Sequence, residues 1–220
     1  MKPILVFDYD GTLNNTMTLY EPAIREICSW LLANNYAKEA NPSKERIASW
    51  LGMNAREMWK DFMPDLDPDI RLKAEKMVGE YMMSRVRNHE AKWYPDVEET
   101  LDLLKSKGYQ MVILSNSKKI TGETHFKAFD MGRWFDKWYD CESFNWAPKT
   151  DIIKVVSKDY PGDLIVIGDR KSDYEAAASI KAKFIGCLYG FGSREELKFS
   201  DCLIESIKEL PDCININEGN

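Results

Sequence analysis

The stretch Ile4-Leu5-Val6-Phe7-Asp8-Tyr9-Asp10-Gly11-Thr12 decides how this chain is read. Four apolar side chains in succession match a strand buried on both faces, the form strands take inside a parallel sheet. The strand period of two sends Asp8 and Asp10 one way and Phe7 and Tyr9 the other, so two carboxylates converge where the strand ends. Gly11 permits the sharp turn and close backbone approach needed there. Carboxyl ends of parallel strands are where open α/β sheets bind ligands. Taken alone, the same residues also read as two turn-forming aspartates that merely close a strand.

Working outward, the apolar signature returns at Met111-Val112-Ile113-Leu114 before Ser115 and at Leu164-Ile165-Val166-Ile167 before Gly168-Asp169. Trp138 to Cys141 and Phe184 to Leu188 read as further strands, and Leu203-Ile204 as a short last one. Helical patterns run from Asp96 to Lys107 and from Lys149 to Lys158. In the first, Asp96 reads as the N-cap, Glu99 completes a capping box and Gly108 follows the last turn. This alternation defines an α/β core with a Rossmann-like parallel sheet. Residues 16–92 behave differently. They hold no convincing strand, while Ile24, Ile27, Cys28, Leu31 and Leu32, then Ile47, Trp50 and Leu51, then Leu72, Met77, Met82 and Met83 recur at helical spacing. Pro42, Pro64 and Pro68 mark loops between the helices. Trp30, Trp50, Trp59 and the methionines of this stretch read as the insert's own core rather than a docking surface. The expected organisation is therefore a core of residues 1–15 and 93–220 with an all-helical insert, 16–92, entered at Asn14-Asn15 and left at Tyr94-Pro95. The polar tail after Pro211 reads as frayed.

Composition narrows the partner. Of 220 residues, 44% are apolar and 30% charged, which suits a globular chain, and 36 acidic against 30 basic side chains leave a net charge of -6. That balance argues against a nucleic-acid polymer or an anionic membrane and for a small molecule. The run Ile4 to Phe7 is too short for a signal-peptide core, and no stretch of about 20 apolar residues exists, so a cytoplasmic protein is expected. Cys28, Cys141, Cys187, Cys202 and Cys213 are scattered without a CxxC pair, and read as reduced packing residues.

The acidic strand end is not alone. Asp169 and Asp173 lie at the end of another strand and the start of the following helix, so three or four carboxylates gather at one edge. At a separation of about 4 Å and an effective dielectric near 20, each like-charge pair costs about 4 kcal/mol, which requires a cation. Oxygen-only ligation suits Mg²⁺, which commonly shares its shell with phosphate; His89 and His125, the only histidines, lie far from these motifs along the chain. Ser115-Asn116 offers a hydroxyl, an amide and backbone N–H groups as a phosphate cradle. Lys149, after Ala147-Pro148, adds a point charge able to neutralise phosphate and nucleophile.

Together these four strand-end motifs resemble the haloacid dehalogenase superfamily of aspartate-nucleophile hydrolases, and the insert resembles that family's C1-type cap. The strings Tyr94-Pro95-Asp96-Val97, Tyr189-Gly190-Phe191-Gly192 and Ser193-Arg194-Glu195-Glu196-Leu197 are similar to the phosphoglycolate phosphatase-like branch. The resemblance implies a Mg²⁺-dependent phosphomonoester hydrolase for a small phosphorylated metabolite, monomeric or a homodimer. It implies that Asp8 attacks phosphorus and that Asp10 protonates the leaving alkoxide and then activates water. It further implies that Ser115, Asn116, Gly11 and Thr12 hold the phosphoryl group and that Lys149 stabilises its charge. Mg²⁺ would sit on Asp8, the Asp10 carbonyl and Asp169, with Asp173 ligating through water or supporting Lys149. The family often places proline after this lysine, whereas here it precedes; Lys154 is the alternative. Asp10 separates the chain from true dehalogenases, which have no alkoxide to protonate. The absence of lysine from residues 13–37 argues against a Schiff-base hydrolase, and the absence of histidine before His89 argues against a sugar-phosphate mutase, which remains the catalytic alternative. A non-catalytic phosphate-binding or docking protein would be expected to have lost Asp8, Asp10 or Lys149. Leu51-Gly52-Met53-Asn54-Ala55-Arg56 resembles the specificity loop of C1 caps, which nominates Asn54, Arg56 and Arg46 as contacts to the leaving group, an arginine favouring a carboxylate or second phosphate. Asn54 with Glu57 reads equally as a helix N-cap pair.

Overall fold

A computed structural model describes residues 2–51, 53 and 55–214. Strand β1 (Ile4–Phe7) is followed by helices α1 (Met17–Ala33), α2 (Lys44–Ser49), α3 (Ala55–Phe62) and α4 (Pro68–Arg87). Then come α5 (Val97–Ser106), β2 (Met111–Ser115), α6 (Lys119–Ala128), β3 (Lys137–Asp140), α7 (Lys149–Asp159), β4 (Leu164–Gly168), α8 (Lys171–Ser179), β5 (Lys183–Cys187), β6 (Cys202–Ile204) and α9 (Leu210–Cys213). The chain divides into two compact units, Met1–Asn15 with Trp93–Asn220, and Thr16–Lys92. Among the described residues no helix is long and apolar enough to cross a membrane.

The first unit is a parallel six-stranded sheet in the order β3-β2-β1-β4-β5-β6. β1 lies in its middle, with Leu5 beside Met111 on one side and Ile165 on the other. Every residue of β1, β2 and β4 is buried, which explains why these strands read as unbroken apolar runs. Strand alternation sorts the side chains into two layers. Leu5, Phe7, Met111, Ile113, Ile165 and Ile167 pack with Val97, Leu101 and Leu104 of α5. Ile4, Val6, Val112, Leu114 and Val166 pack with Ile152, Ile153 and Val156 of α7 and with Ala176 and Ala177 of α8. Each fully buried large side chain among these contributes about 1.5–3 kcal/mol, so the centre of the sheet, from which β1 issues into Asp8, is the firmest part of the unit.

The second unit is all helical. Ala23, Ile24, Ile27, Cys28 and Leu31 of α1 pack with Ala74 and Val78 of α4 around Ile47, Trp50, Met58 and Trp59, while Trp30 is partly buried against the same cluster. The tryptophans are thus core residues of this unit. Leu32 and Leu72, expected in the stripe, are 41% and 67% exposed. Each residue turns a helix by about 100°, so Leu32 sits one step past Leu31, and Leu72, two residues before Ala74, lies on the far side of α4. Pro68 opens α4 rather than breaking a loop, behind an Asp67 carboxylate that accepts from the Asp69 and Ile70 N–H groups.

Further expectations are corrected. Asp96 precedes α5, but its backbone is left-handed (φ 64°) and its side chain makes no cap hydrogen bond, so the expected capping box is absent; Gly108 follows the helix with φ 76° as a C-terminal stop does. Cys202 and Cys213 form a disulfide, their Cα atoms 6.2 Å apart, because the chain between β6 and α9 folds back on itself. Cys28, Cys141 and Cys187 are free and buried. The tail after Pro211, expected to fray, is corrected in its first residues, since Asp212 and Cys213 belong to α9, Cys213 is held by the disulfide and Ile214 is buried; residues 215–220 lie outside the described residues.

Candidate active site

In this strand order the chain switches sides between β1 and β4, and the crevice at their carboxyl ends is where such sheets hold ligands. The site is built from residues that leave those two strands. The Asp8 N–H donates to the Ile167 carbonyl at 2.8 Å, extending the β1–β4 ladder by one step. Its carboxylate therefore continues the row of Ile4 and Val6 toward the layer of α7 and α8. Lys149, the first residue of α7, meets it there: Nζ lies 2.6 Å from Asp8 Oδ1 and 2.6 Å from Asp173 Oδ1, with all three side chains buried. Asp173 also holds the start of its own helix, its Oδ2 accepting from the Arg170 N–H at 3.0 Å.

Asp169 follows β4. Its Oδ2 accepts from the Phe191 N–H at 2.7 Å and its Oδ1 from the Thr12 hydroxyl at 3.4 Å. Gly11, at φ 90°, turns the chain beside it, where a Cβ would stand 2.3 Å from Asp169 Oδ2, so no larger residue fits without displacing the carboxylate. Asp8, Asp169 and Asp173 each present an oxygen within 4.8 Å of the others, an all-oxygen group that can hold a metal ion. One lysine ammonium bridges two of these carboxylates, and burial makes the shortfall of positive charge expensive. It pushes Asp8 up from its ordinary value, an effect Lys149 opposes. It pushes Asp169 well up, reinforced by Asp8 and Asp173, and Asp173 to about 6, again reinforced by Asp8. Burial alone would lower Lys149, but Asp173 and Asp8 together raise it above the ordinary lysine value, which keeps it charged. The donor chemistry and this charge shortfall both fit a hard divalent cation.

The other expected residues fall into three groups. Ser115 ends β2, buried, its Oγ accepting from the Ser117 N–H at 3.2 Å, while Asn116 is exposed and its carbonyl accepts from the Cys141 thiol at 3.0 Å. Asp10 is half-buried and accepts at Oδ1 from Asn14 Nδ2 at 3.0 Å; its carboxylate is outside the three-carboxylate group. Lys154, the alternative to Lys149, is exposed and pairs with Asp151. Arg46, in the helical unit, pairs with Asp61 at 2.7 Å. Asn54 and the side chain of Arg56 lie outside the described residues. Sequence reasoning missed several groups. Ser117 Oγ is buried without a protein partner two residues beyond Ser115, a hydroxyl that the motif reading passed over. The Phe191 N–H that holds Asp169 belongs to a string noted only for its resemblance. Glu196 accepts from Arg170 Nε and the Lys171 N–H at 2.9 and 2.8 Å, tying the start of α8 down. His125, distant in sequence, is buried against Tyr9, the residue between the two aspartates.

The sheet order and the strand-end site define a doubly wound hydrolase core, and the chain belongs to the haloacid dehalogenase-like hydrolases, whose family model matches residues 5–187. Its relatives include the phosphoglycolate phosphatase of Escherichia coli (strain K12), 22% identical, with 94% of this chain and 90% of that protein covered. A Clostridium perfringens (strain 13 / Type A) protein with the provisional name pyrophosphatase PpaX is 25% identical, with 86% and 85% covered. Among solved structures, a protein from Haemophilus somnus 129PT described as a predicted phosphoglycolate phosphatase superposes with a TM-score of 0.82 at 21% identity, covering 96% of this chain and 97% of that one.

Proposed function

We propose that this chain is a Mg²⁺-dependent phosphomonoester hydrolase that acts on a small phosphorylated metabolite through an aspartyl-phosphate. The observation that carries the reading is the buried Asp8 carboxylate held 2.6 Å from Lys149 Nζ, with Asp169 and Asp173 within ligand distance. Asp8, Asp169 and Asp173 would hold Mg²⁺, together with the Asp10 carbonyl, and the ion would supply positive charge to a bound phosphate and to Asp8. The protein's own groups do the rest. Lys149, fixed between two carboxylates, keeps Asp8 ionised and oriented as a nucleophile. The Ser115 hydroxyl and the Asn116 amide supply donors to the phosphoryl oxygens, assisted by the Gly11-Thr12 turn, whose own N–H groups are held by the Asn14 and Tyr9 carbonyls and so keep its shape fixed before the substrate arrives. Asp10 gives a proton to the departing alkoxide and later takes one from the water that hydrolyses the acyl phosphate on Asp8.

The relatives named for phosphoglycolate and pyrophosphate set the substrate panel: phosphoglycolate, pyrophosphate, a sugar phosphate, a nucleoside monophosphate and a generic aryl phosphate. Wild-type protein is expected to release phosphate from the aryl ester only with Mg²⁺ present, and Asp8→Asn to lose more than about 10³-fold in kcat. Wild-type-like turnover by Asp8→Asn would refute the reading. The member of the panel with the highest kcat/KM identifies the substrate class, and Arg56→Ala and Asn54→Ala are expected to lower kcat/KM on that substrate while sparing the aryl ester.

A further inference from the structure

Tyr9 stands between the two aspartates and faces the other way. Its ring is fully buried, with the His125 and Trp138 rings 5.0 and 4.7 Å away. Its hydroxyl lies 2.7 Å from His125 Nδ1 and accepts from Trp93 Nε1 at 3.2 Å. An indole N–H can only donate, and burial lowers His125 to about 4, which leaves its ring neutral. With Trp93 donating to the Tyr9 oxygen, the Tyr9 O–H is itself satisfied in the His125 tautomer whose Nδ1 is the acceptor, so the arrangement that satisfies every group runs from Trp93 to the Tyr9 oxygen and from the Tyr9 hydroxyl to Nδ1. The other end of the same residue shapes the loop. The Tyr9 carbonyl accepts from the Thr12, Leu13 and Asn14 N–H groups at 3.3, 2.9 and 2.9 Å, and the Gly11 N–H donates to the Asn14 carbonyl at 3.0 Å. Asn14 in turn pairs with Trp93 through an antiparallel bridge and donates Nδ2 to Asp10 Oδ1 at 3.0 Å.

We propose that Asn14 and Tyr9 are positioning residues for Asp10: the Trp93–Tyr9–His125 hydrogen-bond chain pins the turn from beneath, and the Asn14 amide fixes the rotation of the Asp10 carboxylate at its edge. This rests on the phosphatase reading, in which Asp10 transfers protons. Asn14→Ala and Tyr9→Phe both keep the three N–H bonds to the Tyr9 carbonyl, so the backbone of the turn and the Asp10 carbonyl stay in place with Asp8 and its lysine. The loss falls on the steps that need the Asp10 carboxylate in one rotation. Misplacement of a reacting group by about 1 Å costs about 100-fold, and only a leaving group that needs a proton feels it in the first step.

The test compares two esters, an alkyl phosphate, whose alkoxide must be protonated as the P–O bond breaks, and a nitrophenyl phosphate, whose phenolate leaves unaided. For Asn14→Ala and Tyr9→Phe, kcat/KM on the alkyl ester is expected to fall about 100-fold and on the aryl ester by less than about 3-fold. A pre-steady-state burst of nitrophenol equal to the enzyme concentration should appear, because hydrolysis of the aspartyl-phosphate also needs Asp10. His125→Gln, whose amide oxygen can accept from Tyr9, is expected to restore most of the alkyl activity that His125→Phe loses. Should Asn14→Ala fail to fold, Tyr9→Phe, which deletes one oxygen atom, carries the same comparison. Equal losses on both esters overturn the positioning role alone. Wild-type protein inactive on both overturns the phosphatase reading and this proposal with it.

Discussion

The Lys149 ammonium faces Asp8 and Asp173 at 2.6 Å each, and all three side chains are buried. Removing one partner of a buried ion pair is far more harmful than the pair is worth, because the remaining charge stays buried and unmatched. Lys149→Met is therefore expected to lose about 3–5 kcal/mol of stability at pH 7, read as a fall in urea midpoint at constant slope, and to abolish turnover. The loss should shrink near pH 5, where the carboxylates take up protons instead; a pH-independent loss would mean that packing of the butyl chain, not charge, is at stake. This lysine was legible in the sequence because it follows Pro148 at a helix start, although the family's usual proline follows the lysine. Asp8 and Asp10 were legible because a strand's period of two leaves little freedom at its end. Tyr9 was seen only as pointing away from them, since its partner His125 lies 116 residues on and no local pattern joins the two.

At the scale of elements, the site is held by the loops that surround Asp169 as much as by the strand that carries it. A Cβ at Gly190 would lie 2.4 Å from the Asp169 Cβ and 2.5 Å from the Gly11 carbonyl, atoms that cannot swing aside as a side-chain tip can. Gly190→Ala is thus expected to cost about 1–3 kcal/mol by overpacking, and to reduce kcat/KM about 100-fold because the carboxylate moves with its backbone. Circular dichroism melts paired with kinetics on the aryl ester check this; full activity would show that the loop after β5 yields easily. The strands were readable almost to the residue, because burial on both faces writes them as apolar runs. Caps and pairings were not. Asp96 has the composition of an N-cap and a left-handed backbone that forbids it, and Cys202 meets Cys213 only because of a fold-back that no spacing rule encodes.

At the scale of the whole molecule, a chain of net charge -6 concentrates three buried carboxylates at one sheet edge, and this sets how its stability responds to pH and to cations. Burial raises Asp8, raises Asp169 well above the ordinary carboxylate value and raises Asp173 to about 6. A carboxyl whose folded-state pKa is raised keeps its proton in the folded chain after the unfolded chain has released it. Its contribution is fully present below the unfolded value, near 3.8 for aspartate, and is lost as pH rises through the folded value. For each such extra proton, stability falls by about 1.4 kcal/mol per pH unit across that window. Glu196, Asp159 and Glu45 are shifted downward, and their opposing effect is confined to more acidic pH. The metal-free protein is therefore expected to lose thermal stability between about pH 5 and pH 7. Mg²⁺ requires the ionised carboxylates, so its stabilising increment should grow over the same interval. The measurement is Tm at half-unit steps of pH, with chelator and with Mg²⁺. The gap between the two curves should widen steadily toward neutrality in the wild type, and Asp169→Asn should close it while raising the Tm of the metal-free form at pH 7. A gap that stays constant with pH would place Mg²⁺ on some other part of the surface and leave the buried carboxylates without the role that their charge demands.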